Sequence, residues 1–189
     1  MSRTLLLSTI LAFQAGFASA SEPNPAIQQM LDDVIMPWAG DAVLSESIAA
    51  QNTVTTGYDS ARIDELDQKW RAEVGTDSSD LVNSVLQNDA ADFLRSQIEA
   101  SGGAITEIFI MDQHGLNVAA SGATSDYWQG DEAKFQQTYP VGAQAIHVSE
   151  IEFDESSQTY QAQVSMTITG DDGAPIGAMT VGIDAELIM

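Results

Sequence analysis

The sequence has no cysteine, so disulfides, thiolate metal sites and thiol catalysis are all excluded. It is almost as poor in positive charge. Six Lys and Arg residues stand against 28 Asp and Glu, a net charge of −22. Nucleic acid and anionic membrane surfaces repel such a chain. The carboxylates are scattered along the whole length, which reads as a solvated acidic surface rather than a concentrated cation site. The patterns G-x-S-x-G, H-E-x-x-H and G-x-x-x-x-G-K-[ST] are also missing. Asp131 and Glu132 adjoin, but neighbouring carboxylates diverge on most backbones, so no acid–base pair is assigned. No catalytic residue and no enzymatic activity are expected.

Metal ligands are scarce too. His114 and His147 lie far apart, with His114 in an expected turn, and together they do not read as a zinc pair. The carboxylate spacing from Asp126 to Glu132 does not fit an EF-hand loop. No metal and no cofactor are expected.

There is one long apolar run. It spans Leu5 to Phe17, follows the early cation Arg3 and closes on Ala18-Ser19-Ala20. That layout is a secretory signal peptide with an A-x-A cleavage site, and it is short for a membrane-spanning helix. The alternative is an uncleaved anchor. Cleavage would give a mature periplasmic chain of residues 21–189 that forms one domain. No second run of spanning length follows.

The mature chain divides into a helical region, residues 21–104, and a strand-rich region, residues 105–189. Ile27, Met30, Leu31, Val34, Ile35 and Trp38 recur at helical spacing, with Pro37 and Gly40 interrupting. Asp41 can cap a continuation through Val43, Leu44 and Ile48, followed by a looser stretch from Thr53 to Gly57. Asp59 or Ser60 can cap a helix carrying Ile63, Leu66, Trp70 and Val74 on its buried side. Glu65 with Lys69, and Asp67 with Arg71, have the favoured i,i+4 orientation. Another helix is expected from Ser78 or Ser79, through Val82, Val85, Leu86, Phe93 and Ile98, to Gly102-Gly103. Five strands should follow: Ile105–Met111, Leu116–Ser121, about Gln144–Phe153, Thr159–Thr169 and Pro175–Ile183. A polar, aromatic segment from Thr124 to Tyr139, with a short helix, separates the second strand from the third. Asp171-Asp172-Gly173 marks a hairpin. In the fourth strand Tyr160, Ala162, Val164, Met166 and Ile168 alternate with Gln161, Gln163, Ser165 and Thr167. One face is therefore apolar and needs a cover; the other is polar and meets solvent or a cavity.

Several strings resemble the extracytoplasmic PAS-like sensor domains called Cache or PDC. Ile108–Ala119 (IFIMDQHGLNVA) resembles their first hairpin. Thr124–Glu132 (TSDYWQGDE) looks like a TSDYxQGDE signature in a subset of them. Val164–Ile168 and Gly173–Ile183 resemble their closing strands, and Ala49–Asn52 and Ile63–Arg71 their long-helix region. The resemblance covers most of residues 21–189. It implies an α+β fold, with an N-terminal long helical region packed on a five-stranded antiparallel sheet, and a role in small-molecule sensing. The chain ends at Met189, shortly after the last expected strand. A stand-alone sensor is therefore expected, its signal passed to a separate membrane receptor or sensor kinase. The alternative is a structural or interaction domain that keeps the fold and has lost its ligand.

The ligand is expected between the sheet and the segment Asp126–Tyr139. Tyr127 and Trp128 would form walls. Asp126 and Asp131 would accept from a cationic or amino group, and Gln163 and Ser165 would face the same cavity. Asp154 is expected outside it.

Overall fold

The computed structural model describes residues 24–76 and 79–189. The expected leader, Met1–Ala20, lies outside the described residues. Among the described residues, no helix is long and apolar enough to cross a membrane.

Helix α1 (Pro25–Met30) begins where the Asn24 side chain accepts from Ala26 N, with Pro25 in the first turn. A π-helical turn, Leu31–Ile35, follows and leads into α2 (Met36–Ala39). Met36 N donates to Leu31 O, five residues back, just before Pro37, which has no N–H to continue the α-helical ladder. Asp41 caps α3 (Ala42–Thr55) through Val43 N. This helix runs to Thr55, through part of the expected loose stretch. Thr53 and Thr55 hydroxyls bond back to the Ala49 and Gln51 carbonyls, so these side chains are satisfied inside the helix.

Asp59 caps α4 (Ser60–Glu73) through Arg62 N, and Ser79 caps α5 (Asp80–Leu86) through Val82 N. The expected single helix beyond Ser79 is two. Asn88 breaks it, accepting from Ala91 N as the cap of α6 (Asp89–Ala100) and donating through Nδ2 to Val118 O of the sheet. One i,i+4 pair forms as expected, Arg71 with Asp67 at 2.5 Å. The other does not: Glu65 pairs with Arg62 at 2.6 Å, and Lys69 reaches Glu73 at 4.0 Å.

The strands are β1 (Ile105–Met111), β2 (Asn117–Ala120), β3 (Ile146–Val148), β4 (Glu152–Asp154), β5 (Thr159–Thr169) and β6 (Pro175–Asp184). Helix α7 (Ala133–Gln136) lies between β2 and β3. The sheet is antiparallel in the order β2-β1-β6-β5-β3, and β4 also pairs with β5. This is the PAS-like α+β arrangement. The expected third strand is split into β3 and β4: at Ser149 the backbone N still donates to Gln163 O, but the side-chain Oγ accepts from Gln163 N in place of the carbonyl.

Each sheet face has its own core. Ile108, Ile110, Ala162, Val164, Met166, Met179 and Val181 point to one side. They are buried beneath Ile27, Leu31 and Ile35 of the first helical stretch, Leu44 and Ile48 of α3, and Leu94 of α6. The apolar face of β5 is thus covered by upstream helices, as its alternation requires. The other face carries a second cluster, in which Phe109, Met111 and Leu116 meet Trp70 of α4, Val85 of α5, Tyr127 and Phe135. Burying a large aliphatic or aromatic side chain contributes about 1.5–3 kcal/mol, so both layers are needed to hold the sheet.

Candidate functional site

The second face of the sheet grades from apolar to polar. Register aligns Met111 with Ala178 and Thr167, Phe109 with Thr180 and Ser165, and Glu107 with Gly182 and Gln163. A bulge between Ile105 and Glu107 disturbs β1 at the polar end. There Thr106 Oγ1 donates to Gln161 Oε1, and Gln161 Nε2 donates to Glu107 Oε1 at 2.5 Å. These side chains cross above Gly182, where a Cβ would collide with Gln161 Oε1 and Thr106 Oγ1. Gln163 Nε2 donates to Glu107 Oε1 at 2.9 Å, and Ser156 Oγ donates to Glu107 Oε2 at 3.1 Å. Glu107 is only 8 % exposed. Its described hydrogen-bond partners are all neutral.

A cleft of about 280 Å³ opens over this polar end, between the sheet and the chain around α7. Gln161 and Gln163 form its floor, Glu132 and Lys134 one wall, and Asp154 and Ser156 another. A smaller cleft of about 160 Å³ reaches Glu107 from the far side of Ser156, which lines both. The Lys134 ammonium sits 2.8 Å from Glu132 Oε2, donates to Gln129 Oε1 at 3.3 Å, and lies 5.5 Å from the Phe109 ring centroid. Burial works to raise the Asp154 carboxyl. Hydrogen bonds from Ser156 Oγ and Ser157 N, with the nearby Lys134 charge, outweigh it and hold the group below its ordinary range. Asp154 thus belongs to the cleft wall, not outside it as the sequence suggested. The site sets two amide side chains, which hydrogen-bond the nearly buried Glu107 beneath them, opposite one ammonium. It can hold a small polar molecule by charge and hydrogen bonding.

The six residues named from the sequence fall into four places. Gln163 lies on the cleft floor. Ser165 is fully buried in the next row, its Oγ 3.0 Å from Thr180 Oγ1. Asp126, Tyr127 and Trp128 face α4 and the hairpin turn. Asp126 Oδ1 is 2.8 Å from Arg71 Nε. Tyr127 stacks on Trp70 with ring centroids 5.7 Å apart, and burial, then the charge of Asp112, raises its phenol above the ordinary range. Trp128 Nε1 donates to His114 O at 2.8 Å. Asp131 is exposed at the start of the α7 segment.

Sequence reasoning assigned no individual role to Glu107, Gln161 or Lys134, although each left a signal. Glu107 is the one charged residue in the strand ITEIFIM. Lys134 is the one Lys or Arg in residues 96–189. Gln161 is the outermost glutamine of the polar alternation. Among the described residues, no group of three or more metal-ligating side chains is placed to hold an ion.

No protein-family model matches the chain, and no curated protein does. Among solved structures it is similar to the sensor domain of the V. cholerae histidine kinase DctB, at 14 % identity and a TM-score of 0.47, covering 87 % of this chain and 52 % of that one. It is also similar to the extracellular domain of the histidine kinase rpHK1S-Z16, at 17 % identity and a TM-score of 0.45, covering 82 % and 60 %. A third is the sensory domain of the Campylobacter jejuni chemoreceptor Tlp3 with isoleucine bound, at 12 % identity and a TM-score of 0.42, covering 86 % and 62 %. The chain spans between about half and three fifths of their length.

Proposed function

We propose that this chain is a ligand-binding sensor domain that takes a small molecule bearing an amino or cationic group in the cleft on the second sheet face. The observation that carries this reading is the placement of Lys134. The one Lys or Arg of residues 96–189 stands in the wall of a cleft whose floor glutamines, Gln161 and Gln163, hydrogen-bond the carboxylate of Glu107 beneath them. A ligand amino group would be drawn to Asp154 and the amide oxygen of Gln163, with the charge of Glu107 just beneath the floor. An anionic or carbonyl end would meet Lys134. A carboxylate this deeply buried with only neutral donors gains most from a cation brought by the ligand.

The signal pattern of Met1–Ala20 supports export to the periplasm. A membrane receptor or sensor kinase is the partner that would carry the signal inward. The second reading, a domain that keeps the fold without a ligand, draws on the bond between Lys134 and Glu132, which already satisfies both charges. Thermal denaturation with free α-amino acids and aliphatic diamines separates the two, because a molecule that binds only the folded chain raises its melting temperature. A shift lost in Lys134→Ala or Gln163→Ala supports the sensor. No shift with any member of the set favours the second reading.

A further inference from the structure

The outer edge of the sheet, away from the cleft floor, carries an uncovered apolar strip. Ile146 is 48 % exposed, Phe153 49 % and Tyr160 61 %, and the Phe153 and Tyr160 rings meet edge to face at 5.3 Å. Register puts all three on one face. Ile146 pairs with Met166, Val148 with Val164 and Phe153 with Tyr160, and Tyr160 shares its side of β5 with Ala162, Val164 and Met166. The strip therefore continues the helix-covered core outward, past the last helix that covers it. Val148, half-buried, packs against that core and joins the two.

The strip lies along a free strand edge. Thr167 N donates to Ala145 O and Ser149 N to Gln163 O, so these positions are the bonded ones of the β3–β5 ladder. Antiparallel alternation then turns the N–H and C=O groups of Ile146 and Val148 outward, away from β5. Exposed edges of this kind are usually blunted with lysine or proline. This one has neither: from Ile146 to Tyr160 there is no Lys, Arg or Pro, and there are four carboxylates, Glu150, Glu152, Asp154 and Glu155. Those charges discriminate between occupants. A second copy of this chain, at −22, would bring another acidic surface to an acidic edge. A basic segment would meet complementary charge.

We propose that β3 and the strip beside it form a docking edge for an extended segment of a protein partner, one that alternates apolar side chains with Lys or Arg. The partner strand would hydrogen-bond to the backbone of Ile146 and Val148. Its apolar side chains would cover Ile146, Phe153 and Tyr160, and its cations would pair with Glu150 and Glu152. This is strand addition at a sheet edge, with the backbone giving affinity and alternate side chains giving selectivity.

Fluorescence anisotropy on the full chain tests this with three synthetic probes: a capped peptide alternating valine and lysine, its valine–glutamate counterpart, and the lysine peptide N-methylated on the hydrogen-bonding edge. The lysine peptide should bind, more weakly as salt rises, and the other two should not. Affinity should fall about tenfold or more in Phe153→Ser with Tyr160→Ser, and again in Glu150→Lys with Glu152→Lys. All four positions are exposed, and circular dichroism checks that the fold persists. Sedimentation in the absence of peptide should show a monomer. The proposal is overturned by equal binding of the glutamate or N-methylated peptide, by indifference to the Phe153 and Tyr160 changes, by no binding at all, or by self-association through this edge.

Discussion

Arg71 Nε lies 2.8 Å from Asp126 Oδ1, joining α4 to the segment that enters the cleft wall. The same guanidinium holds Asp67, which is buried and accepts from Tyr127 N and Trp128 N at 2.9 and 3.0 Å. This network explains why Asp126, Tyr127 and Trp128 face α4 rather than the cleft.

The two carboxylates should differ sharply on removal. Asp67→Ala leaves the buried Tyr127 N–H and the half-buried Trp128 N–H without an acceptor and should destabilise by about 2–4 kcal/mol. Asp126→Ala breaks an ion pair whose guanidinium is more than half exposed and should cost about 1 kcal/mol. Urea denaturation of the two variants measures both. A larger loss in Asp126→Ala than in Asp67→Ala would reverse the two roles.

The following loop depends on two glycines. Gly115 has φ +82°, and a Cβ on it would lie 2.6 Å from Gly130 Cα. One on Gly130 would lie 2.6 Å from His114 O. Both obstacles are backbone, so neither yields by a rotamer change. Gly115→Ala and Gly130→Ala should each destabilise by about 2–4 kcal/mol. Calorimetry should show the lowered melting temperature, and Gly122→Ala, with open space around its Cβ, serves as the control.

Much of this was legible in the sequence because it was local. The caps at Asp41, Asp59 and Ser79 and the alternation in Tyr160–Ile168 each depend on a few neighbouring residues. The break at Asn88 was not legible, because Asn88 bonds to Val118 O across 30 positions. The roles of Asp126 and Trp128 were hidden for the same reason. Asp126 read as a free acceptor and Trp128 as a cavity wall until α4 and the hairpin turn supply Arg71 and His114. The cleft's own polar residues are spread over β1, α7 and β5, and only the register brings Glu107 beside Gln163.

Two side chains set opposite pH responses. Asp154 is held below its ordinary range in the folded chain, so its contribution is full above the unfolded value of about 3.9 and is lost as pH falls through the folded value. Ser156→Ala, which removes one of its hydrogen bonds, should flatten the acid limb of a stability–pH curve. Tyr127 is raised in the folded chain. Its contribution is therefore full below the unfolded value of about 10 and declines as pH rises above it. Tyr127→Phe should abolish that alkaline decline. A curve unchanged at both limbs in these variants would remove the assigned causes.

The most direct test of the sensor reading is an amide-resolved NMR titration of the chain with α-amino acids and aliphatic diamines, using dicarboxylates as controls. The expected result is that an amino-bearing compound moves the side-chain amide signals of Gln161 and Gln163 and the backbone signals around Lys134. The signals of Tyr127 and Trp128, tied to Asp67, should stay in place. Shifts centred on Tyr127 and Trp128, or equal shifts with the dicarboxylates alone, would contradict an amino-binding site on the second face of the sheet.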